Sequence, residues 1–523
     1  MTTTAHNTDE AAPFTVSNEH ISELLRCLYE ITDLDLLGAL ARWDQQTAMP
    51  DGAADVRMYQ VATLQGLLHE RITDPRLGEL LKELDDAIEQ DHFTDADRGL
   101  VRHARRMYDR ATKLPRTLVE ELARVEIASV SAWVNARKQN DFASFAPWLQ
   151  RILNLKREVA DRIGYTETRY DALLDEFEPG LTASKVETLF APVRSASATL
   201  LRRIQASGHQ IDASCLHGNF PIGQQEELCE KIASSIGYNF TYGQIARSAH
   251  PFTTSFGSPL DVRFTVRYDE RYLQQSLMAA LHEGGHALYE QGSSRTLMRT
   301  PLAGGASLGM HESQSRMWEN VIGRSLPFWQ GRYGIVREVF PEQFKAVDVA
   351  TFVRALNKVE PGLIRVEADE VTYNLHIIIR FELEKALLDG EISVESLPGR
   401  WNARYREYLG IDPENDATGV LQDVHWSEGM IGYFPTYTLG NLYAAQIYHT
   451  LRTIFPDFDE RLAAGDTSFV LQWLREHMYS AGATYLPQDL LLRLTGEEAN
   501  PQYFVNYLTA RFEQIYNLPA DRT

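Results

Sequence analysis

The sequence is poor in cysteine and in positive charge. Its 523 residues contain only three cysteines, and 51 lysines and arginines stand against 72 aspartates and glutamates, which makes the formal net charge −21. Three widely separated cysteines without C-x-x-C spacing form no disulfide framework, and such sparse use is typical of a reducing compartment. We therefore expect a cytoplasmic location.

Clustered positive charge and long apolar runs are also missing. Lysines and arginines are dispersed among acidic residues, whereas nucleic acids and anionic membranes bind to clusters of them. No run of about 18 apolar residues is present, and residues 1–14 lack the basic and apolar regions of an export signal. We expect no nucleic-acid partner, no membrane partner and no export.

Helical periodicity dominates what is present. Apolar residues recur at helical spacing over about 19–205 and, after a polar stretch at 207–221, in six later segments. These segments are 271–292, 312–332, 364–389, 435–453, 467–478 and 501–516. Because the connections are too short for domain linkers, we predict a mainly α protein with one domain, 1–523. It comprises a helical half at approximately 1–206, a second half at 207–523 and a deep groove between them.

One segment alternates as a β-strand does. Between Asp261 and Tyr268, apolar and polar residues follow each other in turn, which is typical of a half-exposed strand, and Arg263 lies on its polar face. The strand comes directly before the helix at 271–292. We therefore predict a small β-sheet beside that helix, with an edge that could pair with an extended peptide.

Residues 282–286 read His-Glu-Gly-Gly-His inside the predicted helix at 271–292. Because His282 and His286 are one helical turn apart on one face, both imidazoles can bind one zinc ion, with Glu283 as general base. In a chain with 15 histidines, about 0.03 such matches arise by chance. Gly284 and Gly285 each cost about 1 kcal/mol in a helix interior, which suggests that they make room for the metal or for a substrate strand.

A catalytic zinc site usually has three protein ligands and one open position. Glu312, near the start of the next predicted helix, is the first candidate for the third ligand, and His311 and Glu319 are alternatives on spacing alone. All of these residues lie in the second half of the chain, which is therefore the catalytic half.

Two motifs, His282-Glu-Gly-Gly-His286 and His311-Glu-Ser-Gln-Ser-Arg316, together resemble the M32 family of zinc carboxypeptidases, the carboxypeptidase Taq type. Further signatures of that family occur in the family's order along the chain. They are His250-Pro-Phe252, Asp261-Val-Arg-Phe-Thr265, Ile364-Arg-Val-Glu-Ala-Asp369 and Gly419-Val-Leu-Gln-Asp-Val-His-Trp426. The resemblance covers at least residues 250–440, and the ordered set is far more specific than the zinc motif alone.

The resemblance implies roles for the zinc motif and its surroundings. His282, His286 and Glu312 would bind one zinc ion per chain, with cobalt as a substitute, and Glu283 would be the base. It also implies a largely helical, saddle-like fold with a long groove, often a homodimer, that removes single residues from the C-terminus of peptides.

An exopeptidase that acts at the C-terminus must recognise a free carboxylate, and the planar fork of arginine suits that group. Arg365 is the first candidate, and Arg263 and His250 follow it. An internal salt bridge is the alternative for Arg365, with partners among Glu367, Asp369 and Glu370.

The oxyanion that forms when water attacks a peptide bond needs a donor besides the metal. By loose similarity to related zinc peptidases, His425, Tyr433 and Tyr437 are the candidates, although each could equally serve packing. We therefore predict a zinc metallocarboxypeptidase. The alternatives are a zinc oligopeptidase that cuts internal bonds and a non-enzymatic helical scaffold that binds peptides at a vestigial site.

Overall fold

The structure, a computed structural model, describes residues 13–85, 87–89 and 92–519 of the chain. Most of these residues lie in helices, and the strands are short. Residues 1–12, which contain most of the segment considered as an export signal, lie outside the described part.

Within the described residues, nine α-helices precede the first strand. They are α1 (Glu19–Thr47), α2 (Ala54–Ile72), α3 (Pro75–Asp85), α4 (Asp95–Lys113), α5 (Arg116–Gln139), α6 (Phe142–Ile163), α7 (Arg169–Leu174), α8 (Ala183–Ser207) and α9 (Ile222–Ser235). The helical periodicity over 19–205 corresponds to the first eight of these helices.

Twelve α-helices follow the strands in the described part of the chain. They are α10 (Leu273–Gly292), α11 (Leu308–Arg316), α12 (Leu326–Gln330), α13 (Tyr333–Val339), α14 (Val349–Leu356), α15 (Tyr373–Asp389), α16 (Leu397–Leu409), α17 (Pro435–Ile454), α18 (Phe458–Ala463), α19 (Ser468–His477), α20 (Pro487–Thr495) and α21 (Gln502–Ile515). A π-helical segment, Met317–Ile322, continues α11. The predicted mainly α fold with a small sheet is confirmed. None of the described helices is both long and apolar enough to cross a bilayer.

The sheet has three strands, β1 (Ile245–Arg247), β2 (Thr253–Ser255) and β3 (Val262–Val266), in the order β1-β3-β2. β3 is parallel to β1 and antiparallel to β2. The alternation at 261–268 does mark a strand, and its polar side is half-buried or exposed except at Thr265, which is fully buried. The prediction that this strand offers a free edge was wrong, because β3 pairs with β1 on one side and with β2 on the other. The edge strands of the sheet are β1 and β2.

The predicted helix at 364–389 begins only at Tyr373. The Asp369 carboxylate accepts hydrogen bonds from the backbone N–H groups of Val371 and Thr372, at 2.9 and 3.0 Å, and these bonds fix a turn ahead of α15. Arg365 therefore lies in a separate 3-10 turn, Arg365–Glu367, and not on the helix.

Two hydrophobic cores hold the described residues together. The larger one runs from Leu118 to Tyr516 and includes the interior faces of α10, α11, α15 and α17. The smaller one joins the helices α1 to α4 with Leu297, Leu302 and Ala483. α2 buries only Leu68, so it is attached to the molecule chiefly through α1.

Glycines let α10, α11 and α17 approach each other closely. A Cβ atom on Gly285 would lie 2.6 Å from the carbonyl oxygen of Gln314, and one on Gly440 would lie 2.5 Å from Cγ of Glu312. Gly284 differs, since its Cβ would meet only the end of the Ile236 side chain, at 3.2 Å. The room at Gly285 is therefore filled by the backbone of α11.

Substitution of these two glycines separates close packing from helix propensity. We expect Gly285→Ala to lower the free energy of unfolding by about 1–3 kcal/mol, because α11 must move away. Gly284→Ala, the matched control, should be neutral or stabilising, since alanine favours the helix and Ile236 can adjust. Thermal unfolding of both variants measures the difference. Equal stability of the two variants would contradict this account of the α10–α11 contact.

Candidate metal and active site

Three side chains from α10 and α11 converge on one point. The ligand atoms of His282, His286 and Glu312 all lie within 4.8 Å of one another. Oε2 of Glu312 is 3.6 Å from Nε2 of His282 and 3.4 Å from Nε2 of His286. Two imidazole nitrogens and one carboxylate oxygen at this spacing are a donor set that fits a divalent metal such as zinc.

The start of α11 determines where Glu312 lies. The Ser307 hydroxyl accepts a hydrogen bond from the backbone N–H of Met310, at 2.9 Å, and so caps the helix. The buried Glu178 carboxyl accepts from the N–H of Gly309, at 3.1 Å, and from the hydroxyl of Tyr443, at 3.0 Å. Burial raises the pKa of Glu178 to about 7. This helix terminus is therefore anchored to α17 and to the N-terminal part of the chain.

Glu312 is held on its other side by a cation. Nε of Arg316, one turn along α11, donates to Oε1 of Glu312 at 2.6 Å, and the Arg316 guanidinium lies over the Tyr373 ring at 4.3 Å. Burial works against ionisation, but Arg316 and the two imidazoles hold the pKa of Glu312 well below its usual range. The carboxylate is therefore ionised and turned toward the histidines.

The Nδ1 atom of each histidine has its own partner. Nδ1 of His282 lies 2.8 Å from Oε2 of Glu319, and Nδ1 of His286 lies 2.6 Å from Nδ1 of His311. Glu319 and His311, the two alternative ligands, thus contact the Nδ1 atoms of the rings, whereas Glu312 faces the Nε2 atoms. Their contacts leave both Nε2 atoms directed at the point where the three side chains converge.

The two imidazoles differ in protonation. Burial lowers the pKa of an imidazole, but at His282 the Glu312 and Glu319 carboxylates outweigh it and raise the pKa to about 9. At His286 burial prevails and lowers the pKa to about 4. One nitrogen ligand is therefore already neutral, and the other would release a proton when a cation binds.

Glu283 is buried beside the two histidines, and a threonine holds it in place. The hydroxyl of Thr253, on β2, donates to Oε2 of Glu283 at 2.7 Å and is 3.0 Å from its carbonyl oxygen. Burial raises the pKa of Glu283. The sheet therefore contributes one side chain that orients this carboxylate.

Arg365 belongs to a buried charge cluster next to the convergence point. Its Nε donates to Oδ1 of Asp423 at 2.9 Å, and Nε of Arg380 donates to Oδ2 of the same carboxylate at 2.7 Å. The internal partner of Arg365 is thus Asp423, and not one of the three acids near it in sequence. Nη1 of Arg365 also donates to the Tyr373 hydroxyl, at 3.4 Å, and Tyr373 connects this cluster with Arg316.

His425, Tyr433 and Tyr437 lie together beside Arg365. The His425 and Tyr433 ring centroids are 5.4 Å apart, and the Arg365 guanidinium lies over the Tyr437 ring at 5.1 Å. Nε2 of His425 is 3.4 Å from the Tyr437 hydroxyl. Burial and the charge of Arg365 lower the pKa of His425 to about 3, so its ring is neutral. Burial also raises the pKa of Tyr433 to about 12.

Arg263 and His250 are at the sheet, apart from this group. The fork of Arg263 donates two hydrogen bonds to Asp261, at 2.7 and 2.8 Å, and its guanidinium lies over the Phe256 ring at 4.8 Å. His250 is exposed, ahead of β2. Neither is part of the cluster that contains Arg365.

Several residues of the site were not singled out from the sequence. Three of them nevertheless lie in or next to segments that the sequence did single out. Thr253 follows the motif at 250–252, Asp423 lies in the motif at 419–426, and Tyr373 lies in the helical segment 364–389. Arg380 and Glu290, whose Oε1 lies 2.7 Å from Nε2 of His311, gave no signal of their own. Each becomes recognisable only through a contact between residues distant in sequence.

A mainly helical chain that brings two histidines, a glutamate and a buried neighbouring carboxylate to one point has the arrangement of a metallopeptidase. The family model of the carboxypeptidase Taq (M32) metallopeptidases matches residues 23–512, and the chain belongs to this family. It is therefore a metallocarboxypeptidase, a peptide hydrolase.

Characterised relatives and solved structures agree with this assignment. The chain is 43% identical to thermostable carboxypeptidase 1 of Thermus thermophilus, over 94% of this chain and 98% of that protein. It is 39% identical to carboxypeptidase 1 of Bacillus subtilis, over 92% and 95%. The crystal structure of an M32 carboxypeptidase from Deinococcus radiodurans R1 superimposes on this chain with a TM-score of 0.92. The two are 37% identical, and the superposition covers 96% of this chain and 100% of that one.

The contact between Thr253 and Glu283 generates a prediction. Thr253→Val keeps the shape of the side chain but removes a hydrogen bond to a carboxylate, an interaction of about 1.5–3 kcal/mol. We therefore expect kcat to fall by about 10- to 100-fold with the metal content unchanged, while Thr253→Ser retains most of the activity. Steady-state hydrolysis and metal analysis measure both quantities. Wild-type kcat in Thr253→Val would show that this contact does not support catalysis.

Proposed function

We propose that the chain is a zinc carboxypeptidase that releases single amino acids from the C-terminus of peptides. In this proposal His282, His286 and Glu312 hold one zinc ion per chain, and cobalt can replace it. The observation that carries the proposal is the position of this donor set, with Glu283 on one side and the Arg365 cluster on the other. Three protein ligands leave a position open for the reaction.

The residues around the metal position then have distinct tasks. When bound, the metal supplies Lewis acidity, which polarises the peptide carbonyl and activates water near neutral pH. Glu283 takes the proton from the attacking water and later delivers it to the leaving amine. The burial that raises the pKa of Glu283 brings this carboxylate closer to the working pH of a general base. Thr253 keeps it oriented.

Arg365 is proposed to bind the terminal carboxylate of the substrate. Two arginines, Arg365 and Arg380, share the single carboxylate of Asp423, so the buried cluster has an excess of positive charge. A buried charge is costly unless an opposite charge compensates it. A free peptide carboxylate supplies that charge. Asp423 and Arg380 fix the guanidinium of Arg365 in place. To bind a substrate carboxylate, Nη1 of Arg365 would lose only its long hydrogen bond to the Tyr373 hydroxyl.

His425, Tyr433 and Tyr437 are proposed to contact the reacting peptide bond. All three lie beside Arg365, and Tyr433 and Tyr437 are close enough to Glu312 for its charge to contribute to their raised pKa values. Their hydroxyl protons therefore remain in place at neutral pH. A neutral phenol can donate to a developing oxyanion without transferring its proton.

Family membership and the Arg365 cluster favour a carboxypeptidase over an oligopeptidase, which needs no buried cation for a chain terminus. A vestigial scaffold is disfavoured because the three metal ligands, the base and their hydrogen-bond partners are all present. We further propose a single peptidase domain, 1–523, in which residues 207–523 carry the chemistry. The proposal also includes a cytoplasmic location, a homodimer and a groove that holds the peptide.

Replacement of the base separates metal binding from catalysis. We expect Glu283→Gln to retain stoichiometric zinc, since Glu283 is not a ligand, and to lose peptide cleavage because no carboxylate accepts the proton of water. Metal analysis by mass spectrometry and a peptide assay on the same preparation measure both properties. An active, metal-replete variant would overturn the assignment of Glu283 as base.

The direction of cleavage can be read from a matched pair of peptides. With a free-acid peptide we expect a ladder of single C-terminal losses in the mass spectrum, which a chelator abolishes, and with its C-terminally amidated twin we expect no ladder. Arg365→Lys should lower kcat/KM for the free acid by about 100-fold, because lysine lacks the planar fork. Arg263→Lys is the matched comparison, and if that variant loses the activity, the runner-up binds the carboxylate. Cleavage of internal bonds in both peptides would instead favour the oligopeptidase.

A further inference from the structure

His286 is the first member of a chain of three side chains. Its Nδ1 is 2.6 Å from Nδ1 of His311, and Nε2 of His311 is 2.7 Å from Oε1 of Glu290. His286 and Glu290 are on α10, whereas His311 comes from α11. All three side chains are at least four-fifths buried. The chain thus runs from the metal position through two imidazoles to a carboxylate.

The hydrogen-bond roles in this chain have one consistent direction. An ionised carboxylate can only accept, so Nε2–H of His311 donates to Glu290. With its proton on Nε2, the His311 ring presents a lone pair at Nδ1, to which Nδ1–H of His286 donates. This assignment leaves Nε2 of His286 without a proton, and a nitrogen must have a free lone pair to bind a metal. The carboxylate at the far end thereby selects the tautomer of His286.

The surroundings of His311 are shaped to hold it. A Cβ atom on Gly305 would lie 2.7 Å from Cδ2 of His311, and one on Gly304 would lie 3.0 Å from Oε1 of Glu290. The Tyr289 ring is 5.2 Å from the His311 ring and packs on it at a tilt. Two adjacent glycines and an aromatic ring therefore pack closely against the imidazole and the carboxylate.

The partner of His286 differs from that of His282. His282 contacts a carboxylate, Glu319, directly at 2.8 Å, whereas His286 reaches Glu290 only through a second imidazole. Glu319 comes from the π-helical segment after α11, whereas the relay combines Glu290 of α10, His311 of α11 and the glycine pair. The contact at Nδ1 of His286 thus comes from a residue outside the three converging side chains.

We propose that His311, backed by Glu290, is a positioning residue that orients His286 and fixes its metal-binding tautomer. The proposal rests on the proposed function, because it assumes that His286 is a metal ligand. It assigns to His311 a role distinct from that of a ligand. Partners of this kind typically change metal affinity by about 10- to 100-fold when they are replaced.

The test compares two substitutions at one position. His311→Gln can accept from His286 with its amide oxygen and donate to Glu290 with its amide nitrogen, whereas His311→Leu can do neither. We expect His311→Leu to weaken zinc binding by about 10- to 100-fold and His311→Gln to bind close to wild type. Competition with a chromophoric chelator measures the dissociation constants, and the visible spectrum of the cobalt-loaded protein reports ligand geometry. His69→Leu, at an exposed position on α2, is the control.

The outcomes separate this proposal from the proposed function. Wild-type zinc affinity and an unchanged cobalt spectrum in His311→Leu would overturn the positioning role, while a wild-type protein that binds no zinc would overturn the proposed function itself. Thermal unfolding of the metal-free proteins detects a merely structural role, which would lower stability in both His311 variants alike. If His311→Leu does not fold, Glu290→Gln takes its place, with weaker zinc binding expected and wild-type affinity counting against the proposal.

Discussion

The structure depends on how closely three helices approach each other around the Glu312 carboxylate. This group contacts Arg316 on its own helix, faces two imidazoles of α10 and packs on Gly440 of α17. A Cβ atom on Gly285 would lie 2.6 Å from an atom of α11, and one on Gly440 would lie 2.5 Å from one, so a side chain at either position would force the helices apart. The convergence of His282, His286 and Glu312 follows from this contact, while Thr253 of the sheet orients Glu283.

Much of this could be predicted from the sequence. The two histidines one turn apart, the base between them and the helix that carries them follow from local spacing, and so does the mainly α fold. What remained hidden depends on contacts between distant segments. Thr265 lies on the polar side of an alternating strand, yet it is buried by contacts with Ser248 and the backbone of Phe252. Arg365 was expected on a helix that begins only after the turn made by Asp369. The partner of Arg365, Asp423, is far away in the chain.

The net charge of −21 does not describe the site. There the charges are arranged in buried, alternating sets: Glu312 between Arg316 and the histidines, and Asp423 between Arg365 and Arg380. In the first set the Glu312 carboxylate and two imidazole nitrogens offer donor atoms to a cation, whereas the second set has two guanidinium groups for one carboxylate and suits an anion. In the proposed function a peptide terminus uses both sets, the first at its last bond and the second at its carboxylate, and the net charge of the chain reveals neither.

The smaller hydrophobic core has a consequence for local stability. Because α1 to α4 share a small core of their own and α2 buries a single leucine, these helices have few buried apolar contacts, which is the condition under which local opening is easiest. Trp43 of α1 packs edge-on against Phe252, at 5.3 Å, and Phe252 is the neighbour of Thr253. Through Trp43 and Phe252, the helices of the smaller core therefore support the segment whose next residue, Thr253, holds the Glu283 carboxylate.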